Sequence, residues 1–340
     1  MRRIVFFFIL VLVVFFLKSC AVTPKSIKRN DPLIGKIIDT ATGRFLDIDT
    51  VVEKIKTYDV IYLSEKHDNE IHHRLQMTLI NKLTKLGLTP AIGFEFFSMD
   101  QTPDLMNFIE SARAKHTPEM EEIIEADLRK KLRWDTKFDT IWRYYFDLLK
   151  LARMENLAVS GIDLGGTLKK RMTRKGVDNL TPIEKRQIYS TNLSDKNYKN
   201  YMLSIFKNVH CGMGHEEMPS RLFDTWMARN DKMALSISQL FTDFNTPVVV
   251  IIGAGHTEYG LGVIDRVRTI NDDIKQVNIA FKEIFSQPSD LQTYLTPLDL
   301  AGFKKSPPAD FIFFTQRTSY ENPCDTFKKS LEKLKKTDDV

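Results

Sequence analysis

Two glutamates and two histidines stand where apolar segments with the composition of buried strands come to an end. Carboxylates act as general bases and as metal ligands, and neutral imidazoles bind zinc, iron or manganese. These residue types together predict either acid–base chemistry or a divalent-metal site. The four residues are Glu65, His67, Glu95 and His256.

Three apolar runs carry these side chains. The runs are Val60–His67, Ala91–Glu95 and Val248–His256. In an open parallel sheet, side chains just beyond the carboxyl ends of neighbouring strands converge on one crevice, which is where such folds bind ligands. We therefore expect residues that are far apart in the sequence to share one polar site at a sheet edge.

Strand-like and helix-like segments alternate along the chain. Asn69–Leu86 and Phe138–Met154 have apolar residues at helical spacing, Leu157–Asp163 reads as a strand, and helical patterns dominate 168–241. Further strands are predicted at Gln276–Phe281 and Ala309–Thr315, and two short strands around a turn within 35–47. This alternation predicts an α/β fold: a mostly parallel β-sheet flanked by helices on both faces, with a helical insertion.

The amino terminus has the pattern of a cleaved lipoprotein signal. Two arginines follow Met1, and the apolar run 4–17 is about fourteen residues long, shorter than the roughly twenty that span a bilayer. The segment Leu-Lys-Ser-Cys at 17–20 resembles the bacterial lipobox, so Cys20 is the expected lipidation site. Two acyl chains hold a water-soluble domain at a membrane. The sequence thus predicts lipid anchoring in the bacterial cell envelope, at the inner or the outer membrane.

Signal cleavage also changes the charge. Two arginines and one lysine leave, so 49 basic residues become 46 against 44 acidic ones, and the formal charge falls from +5 to +2. No lysine or arginine cluster is interleaved with aromatics, which argues against a nucleic-acid partner. The expected organisation is a signal peptide (1–19), a lipidated tether (20–34), a single α/β domain (35–325) and a charged tail (326–340).

Three cysteines are present. With Cys20 assigned to lipid, Cys211 and Cys324 remain, and they could pair in an oxidising compartment. Their distance in the sequence does not decide whether they do. The sequence contains no Cys-x-x-Cys pair, so a thiolate zinc site and a c-type haem attachment are both unsupported.

Several motifs follow one another along the chain. They are Glu65-Lys-His67-Asp68, Gly93-Phe-Glu95-Phe-Phe, His210-Cys211-Gly212, Asn230-Asp231, and Gly253-Ala-Gly-His256 followed by Tyr259-Gly-Leu-Gly-Val263. In this order they resemble the ChaN-type haem-binding lipoprotein family. That resemblance covers most of 35–324 and implies a parallel-sheet α/β fold, a role in iron or haem acquisition, and a homodimer that holds haem between its monomers. It also implies that a tyrosine ligates the iron, and that a histidine and a lysine of the partner hold the propionates.

Haem binding requires other groups than the four strand-end residues provide. Haem needs an axial ligand, a wide apolar slot and cations for two propionates. Carboxylates at the same place would repel the propionates, so the glutamates and histidines are predicted to form a separate divalent-metal site. The candidate haem-binding residues are Tyr145, Tyr259 and His210.

Other interpretations stay open. The wider superfamily resembles Tiki-like metalloproteases and erythromycin esterase-like proteins, which makes a metal-dependent hydrolase the alternative function. One glutamate of the Glu65, His67, Glu95 and His256 set would then act as general base on water, with a histidine as ligand or acid. Alternatively, Glu65 and His67 cap the helix that starts near Asn69. A third possibility is an interaction protein that keeps a vestigial site.

Overall fold

The computed structural model describes residues 30–111, 117–134, 139–212, 217–322, 324–325 and 328. The predicted signal peptide and Cys20 lie outside these ranges, as do most of the predicted tether and nearly all of the tail 326–340. Within the described ranges, no helix combines the length and the apolar character needed to cross a membrane.

A sheet of eight strands forms the centre of the described chain. Its strands are β1 (Ile37–Asp39), β2 (Arg44–Leu46), β3 (Val60–Glu65), β4 (Ala91–Ser98), β5 (Val159–Asp163), β6 (Val248–Gly253), β7 (Gln276–Glu283) and β8 (Phe311–Thr315). Their order across the sheet is β2-β1-β8-β7-β3-β6-β4-β5. Strands β3 to β8 pair in parallel, whereas β1 pairs antiparallel with both β2 and β8. The predicted mostly parallel α/β fold is confirmed.

Helices follow most of the strands and cover both faces of the sheet. The helix Pro118–Lys131 lies in the stretch after residue 112 where the helical insertion was predicted, and further helices fill the segment between β5 and β6. The helices are α1 (Ile48–Ile55), α2 (Glu70–Lys85), α3 (Thr102–Glu110), α4 (Pro118–Lys131), α5 (Asp139–Met154), α6 (Gly166–Lys175), α7 (Pro182–Lys185), α8 (Lys196–Val209), α9 (Met218–Phe244), α10 (Val263–Ile270) and α11 (Leu291–Leu295).

Strand β3 shows why its sequence reads as a continuous apolar run. Successive side chains of a strand point to opposite faces of the sheet. Ile61 and Leu63 pack in a core with helices α1 to α5, whereas Val60 and Tyr62 pack in a second core with α9 and α10. Both faces of the strand are buried, so alternation with polar residues is absent.

The amino terminus of α2 decides between two interpretations of Glu65 and His67. The helix is capped by Asn69, whose Oδ1 accepts a hydrogen bond from the Ile71 N–H at 3.0 Å. The side-chain amide of Asn69 also donates to Glu283 Oε1 at 2.9 Å. The interpretation that Glu65 and His67 cap this helix is therefore wrong, and both side chains remain available for a site.

Candidate functional site

The carboxyl edge of the sheet collects the predicted polar residues. Glu65 is the last residue of β3 and pairs in register with Gly253, the last residue of β6. Glu95 lies on β4, which flanks β6 on its other side, and His256 follows β6 directly. The structure thus brings all four predicted residues to one edge, as the strand pattern implied. It places them in two networks of contacts.

The first network surrounds Glu65, whose side chain is fully buried. Tyr145 donates its hydroxyl to Glu65 Oε1, and Gln76 Nε2 donates to Oε2 at 2.6 Å. His67 Nδ1 lies 2.9 Å from Oε1, and His73 Nδ1 lies 3.2 Å from Oε2. Burial acts to raise the pKa of Glu65, but the histidines and the tyrosine hydroxyl outweigh it and the pKa falls below its ordinary value. Glu65 is therefore a carboxylate at neutral pH.

His73 lies between two oxygen acceptors. Its Nε2 is 3.0 Å from the His67 carbonyl oxygen, which can only accept, so this nitrogen carries a proton. Its Nδ1 approaches Glu65 without the alignment of a hydrogen bond. The ring also stacks on Tyr144, with centroids 4.7 Å apart. The contact between His73 and Glu65 is thus electrostatic, and the ring is held in place by its other neighbours.

His67 connects the buried network with solvent. Its side chain is 41% exposed and packs edge-on against Phe96, with ring centroids 4.6 Å apart. Because the ionised Glu65 accepts from Nδ1, the lone pair of the neutral ring lies on Nε2. Burial acts to lower the pKa of His67, but the hydrogen bond to Glu65 and the charge of Glu95 prevail and raise it above its usual value.

The second network surrounds Glu95, which is also buried. Arg229 Nη2 lies 2.5 Å from Glu95 Oε1, and His256 Nε2 lies 3.2 Å from the same oxygen. The backbone N–H of Gly253 donates to Oε2 at 2.6 Å. Burial acts to raise the pKa of Glu95, but His256 and the guanidinium of Arg229 hold it well below its ordinary value. Glu95 is therefore ionised and matched by a cation.

Arg229 joins two strand ends. Besides Glu95 on β4, it contacts Asp163, the last residue of β5, with Nε 3.0 Å from Oδ2. The side chain of Asp163 is fully buried and also forms an ion pair with the ammonium of Lys169. Burial acts to lower the pKa of Arg229, but the two carboxylates raise it above its ordinary value. One partly exposed guanidinium thus neutralises carboxylates on two neighbouring strands.

His256 is held by stacking and by a side-chain amide. Its ring lies on Trp226 with centroids 3.8 Å apart and an interplanar angle of 13°. Its Nδ1 is 2.5 Å from Asn230 Oδ1. Burial lowers the pKa of His256 despite the nearby Glu95, so the ring is neutral at neutral pH. A neutral ring has a single N–H, which serves either Asn230 or Glu95.

These contacts do not support the predicted divalent-metal site of Glu65, His67, Glu95 and His256. Among the described residues, no group of three or more histidine, cysteine, aspartate or glutamate side chains is placed to hold a metal ion. The physical reason is that Arg229 already supplies the positive charge beside Glu95, whereas Glu65 turns inward to buried donors. A guanidinium stands beside Glu95 where the sequence predicted a metal ion.

A cavity of about 670 Å³, the main cavity, opens above these networks. Apolar side chains from β4, α8 and α9 form its walls, cationic side chains stand around it, and two imidazoles reach it. The apolar residues are Phe96, Phe206, Val209, Leu222 and Trp226; the cations are Lys169, Lys170, Arg174 and Arg229; the imidazoles are His67 and His210.

The three candidate haem residues have separate locations. Tyr145 is fully buried and its hydroxyl contacts Glu65, so it does not line the main cavity. Tyr259 lines a different cavity. His210 lines the main cavity and is followed by Cys211, which forms a disulfide with Cys324. The pairing of these cysteines answers the question that the sequence left open.

Sequence reasoning missed Trp226 and Arg229 as site residues, and it named Asn230 only as part of a family motif. Trp226, Arg229 and Asn230 all contact the Glu95 network from helix α9. Their spacing of three and four residues places them on one face of that helix, which is the signal that was available. A single sequence does not reveal that this face turns towards the strand ends, because the intervening insertion sets the position of α9.

Gly253 is the position where a small change would disturb both networks. A Cβ built there would lie 2.8 Å from His67 Cε1 and 3.3 Å from Glu95 Oε2. We expect Gly253→Ala to displace the His67 ring from Glu65 and to lower the free energy of unfolding by about 1–3 kcal/mol. Chemical denaturation measures the stability, and the ring resonances of His67 report its displacement.

Gly166→Ala is the matched control for that substitution. A Cβ at Gly166 meets nothing within 4 Å, and this glycine is the first residue of helix α6. Alanine there should be neutral or stabilise the protein by up to about 1 kcal/mol. Equal effects of the two substitutions would show that contact with His67 and Glu95 does not restrict position 253.

Comparisons with known proteins decide the family. The model of the haem-binding uptake family of the Tiki superfamily, ChaN, matches residues 51–267. The chain belongs to this family. No curated protein sequence matches the chain.

Comparison with solved structures also gives matches. A structure of ChaN of Campylobacter jejuni, which describes cofacial haem binding by that protein, is similar with a TM-score of 0.60 and 16% identity, over 82% of this chain and 95% of that chain. The type III effector HopBA1 gives a TM-score of 0.43 with 14% identity, over 87% and 100% of the two chains. The erythromycin esterase EreC in its open conformation gives 0.42 with 13% identity, over 78% and 80%. The likeness to ChaN supports the same overall fold.

Proposed function

We propose that the chain binds haem in the main cavity and serves haem or iron acquisition. The observation that carries this proposal is the combination, in one cavity of about 670 Å³, of aromatic and aliphatic walls with four cationic side chains. A porphyrin requires flat apolar surface, and its propionates require positive charge. Membership of the haem-binding uptake family supports the same ligand.

The charges of the cavity fit the propionates. Glu95 and Asp163 also line it and would repel them, but Arg229 lies between the two and Lys169 contacts Asp163. Two further cations, Lys170 and Arg174, are exposed and make no side-chain hydrogen bond or ion pair within the part of the chain that the structure describes. These two residues are therefore the ones we assign to the propionates.

Two imidazoles of the main cavity, His67 and His210, would bind the haem iron. His210 Nδ1 donates to the Phe206 carbonyl oxygen at 2.7 Å, which fixes the tautomer with the lone pair on Nε2. His67 is oriented in the same way by Glu65. Bound haem would supply an iron centre whose redox potential depends on the axial ligand. The tyrosine ligand implied by the family resemblance has a weaker basis here, because neither Tyr145 nor Tyr259 lines this cavity.

Export and lipid anchoring at Cys20 belong to the same proposal. The disulfide between Cys211 and Cys324 supports an oxidising compartment, since such bonds are rare in cytosolic proteins. Placement in the bacterial cell envelope and a homodimer around haem remain proposals that rest on the signal pattern and on the family resemblance. They fit a role in which a lipid-anchored domain handles haem outside the cytoplasm.

The metal-dependent hydrolase receives less support from the geometry. A general base works best with a pKa near the working pH. The pKa of Glu65 is lowered by its histidine and tyrosine neighbours, and that of Glu95 is held well below its ordinary range by His256 and Arg229. Both carboxylates are weak bases in this arrangement, so proton abstraction from water would be poorly driven.

Hemin titration of the full chain in detergent tests the proposal. We expect a Soret band that shifts on binding, and a roughly tenfold or greater loss of hemin affinity in the double variant Lys170→Gln/Arg174→Gln, because two propionate contacts are removed. The control Lys85→Gln removes an exposed cation of α2 outside the cavity and should bind hemin as the parent does. Thermal unfolding of each variant verifies folding.

Single substitutions then identify the ligand. We expect His210→Ala or His67→Ala to shift the Soret maximum, and Tyr145→Phe and Tyr259→Phe to leave it unchanged. Loss of the band in Tyr259→Phe with retention in both histidine variants would move haem to the other cavity. Absence of any hemin-dependent Soret shift in the parent protein would exclude haem binding altogether.

A further inference from the structure

A second cavity of about 910 Å³ lies apart from the main cavity and shares no lining residue with it. Six segments line it: the turn between β1 and β2, the loop between α7 and α8 at Leu193, the start of β7, the segment before β8, the loop after β6, and helix α10. Because these segments are distant in the sequence, the cavity is a product of the tertiary fold. No part of the proposed haem site depends on it.

The acids of this cavity are already committed to partners in the protein. Asp265 lies 3.1 Å from Arg266 Nη1, and Asp310 Oδ2 accepts from the Asn278 N–H at 2.7 Å. Of the basic lining residues, Lys305 pairs with Asp299 at 3.1 Å. A backbone N–H does not neutralise Asp310, so the charge that a ligand meets is the sum of this side chain and the other basic side chains.

Two of those side chains remain for a ligand, although the charge of Arg268 also acts on Asp265 and Asp310. Arg268, on α10, and Lys304, in the segment before β8, line the cavity and are exposed. Neither forms a hydrogen bond or an ion pair with any residue that the structure describes. A guanidinium and an ammonium on opposite elements of one concave site are suited to a carboxylate or a phosphate, with the arginine able to bind in bidentate fashion.

Tyr259 adds a hydroxyl and a sign of backbone strain. Its φ of +62° lies in the left-handed region, which costs a side-chain-bearing residue about 1–2 kcal/mol. Its backbone N–H donates to the Pro308 carbonyl oxygen at 3.0 Å, which helps to hold this conformation. Burial raises the pKa of Tyr259 to about 12, so the phenol stays protonated and can donate at neutral pH. Strained residues of this kind cluster at ligand sites.

The remaining lining includes an apolar wall. Leu261 and Ile264 come from the loop after β6 and from α10, and Phe303 and Pro307 come from the segment before β8. A ligand that fills the cavity would therefore place an apolar body against this wall. A bare inorganic ion would leave the wall uncovered.

We propose that the second cavity binds a small organic anion, a carboxylate or a phosphate ester with an apolar body, through Arg268, Lys304 and the Tyr259 hydroxyl. The two cations hold the anionic group and the phenol donates to it. The apolar wall packs against the rest of the ligand. This site is additional to haem binding and does not require it.

Calorimetric titration with benzoate, phenyl phosphate and the neutral benzamide tests the proposal on the full chain in detergent. Binding of at least one anionic probe should be roughly tenfold or more tighter than that of benzamide, and the comparison of benzoate with phenyl phosphate shows which anion is preferred. Arg268→Gln/Lys304→Gln should lower the affinity for the anionic probe at least tenfold. Tyr259→Phe should lower this affinity several-fold, and Lys85→Gln should leave it unchanged.

The main cavity also has cations, so its own variant separates the two sites. Lys170→Gln/Arg174→Gln should bind the anionic probe as the parent does, whereas Arg268→Gln/Lys304→Gln should still bind hemin. Equal binding of neutral and anionic probes, no detectable binding, or loss of the probe only in Lys170→Gln/Arg174→Gln would overturn the second site. Loss of hemin binding in Arg268→Gln/Lys304→Gln would show that the second cavity is part of the haem site. Failure of the hemin titration alone leaves the anion result interpretable, because the probes are measured without hemin.

Discussion

Replacing Arg229 by methionine should lower the free energy of unfolding by about 3–5 kcal/mol, because it leaves the buried carboxylates of Glu95 and Asp163 without their shared cation. Methionine keeps much of the apolar length of the side chain but carries no charge. Lys169 still contacts Asp163, so Glu95 bears most of the loss. Urea denaturation at pH 7 measures the effect.

The pH dependence of the Arg229 variant provides a further check. In the parent protein the lowered pKa of Glu95 contributes stability that is present above the ordinary carboxyl pKa and is lost as the pH falls. Without the guanidinium that contribution shrinks, so the difference between variant and parent should narrow on acidification. Arg221→Gln is the matched control, since Arg221 also lies on α9 but forms an exposed pair with Glu217 and should cost about 1 kcal/mol or less. Similar losses in both variants would contradict the special role of Arg229.

Acidification from pH 7 to pH 5 should cost about 2 kcal/mol of stability through His72 alone. Burial lowers the pKa of this histidine to about 3, from 6.5 in the unfolded chain. Its Nδ1 accepts from the Lys66 N–H at 2.9 Å, and its Nε2 lies 2.8 Å from the Thr315 hydroxyl. Between pH 6.5 and about 3 the unfolded chain binds a proton that the folded protein does not, so stability falls as the pH falls.

The variant His72→Gln isolates this contribution. Its stability at pH 7 should be lower by roughly 1–3 kcal/mol, because two buried hydrogen-bonding partners lose their imidazole. Between pH 7 and pH 5, however, it should lose about 2 kcal/mol less than the parent. His67→Gln serves as the opposite case. The pKa of His67 is higher in the folded protein than in the unfolded chain, so protonation of His67 stabilises the parent at low pH and this stability is lost as the pH rises. Without His67, the variant should therefore lose more stability than the parent on acidification. Parallel pH curves for His72→Gln and the parent would rule out the histidine as the cause.

The sequence was informative wherever burial dictates residue type. Strands β3 and β6 are covered on both faces, so their apolar runs and their ends at Glu65 and Gly253 could be recognised from the residues alone. Parallel pairing then brings the ends together by geometry, which is why the location of the site was predictable. The same logic placed Glu95 at that edge.

The partners of these residues depend on contacts that carry no local signal. Tyr145 has the helical spacing of a core aromatic residue and is buried, but its hydroxyl donates a hydrogen bond to Glu65. Arg229 comes from a helix that follows the insertion, and nothing in its immediate sequence distinguishes it from a solvated arginine. The predicted metal ion finds no support for this reason. Glu95 requires a positive charge beside it, and Arg229, which is far away in the sequence, supplies that charge.

The position of β7 has a practical consequence for the choice of fragments to express. The family match ends at residue 267, within α10, whereas β7 pairs with β3 along Val60 to Ser64. A fragment cut at the family boundaries would lose β7 and β8, and the backbone of β3 would become an open edge carrying fully buried apolar side chains. Exposed edges of this kind pair with other chains, so such a fragment should aggregate. Soluble protein requires the chain to continue through Thr315, the end of β8.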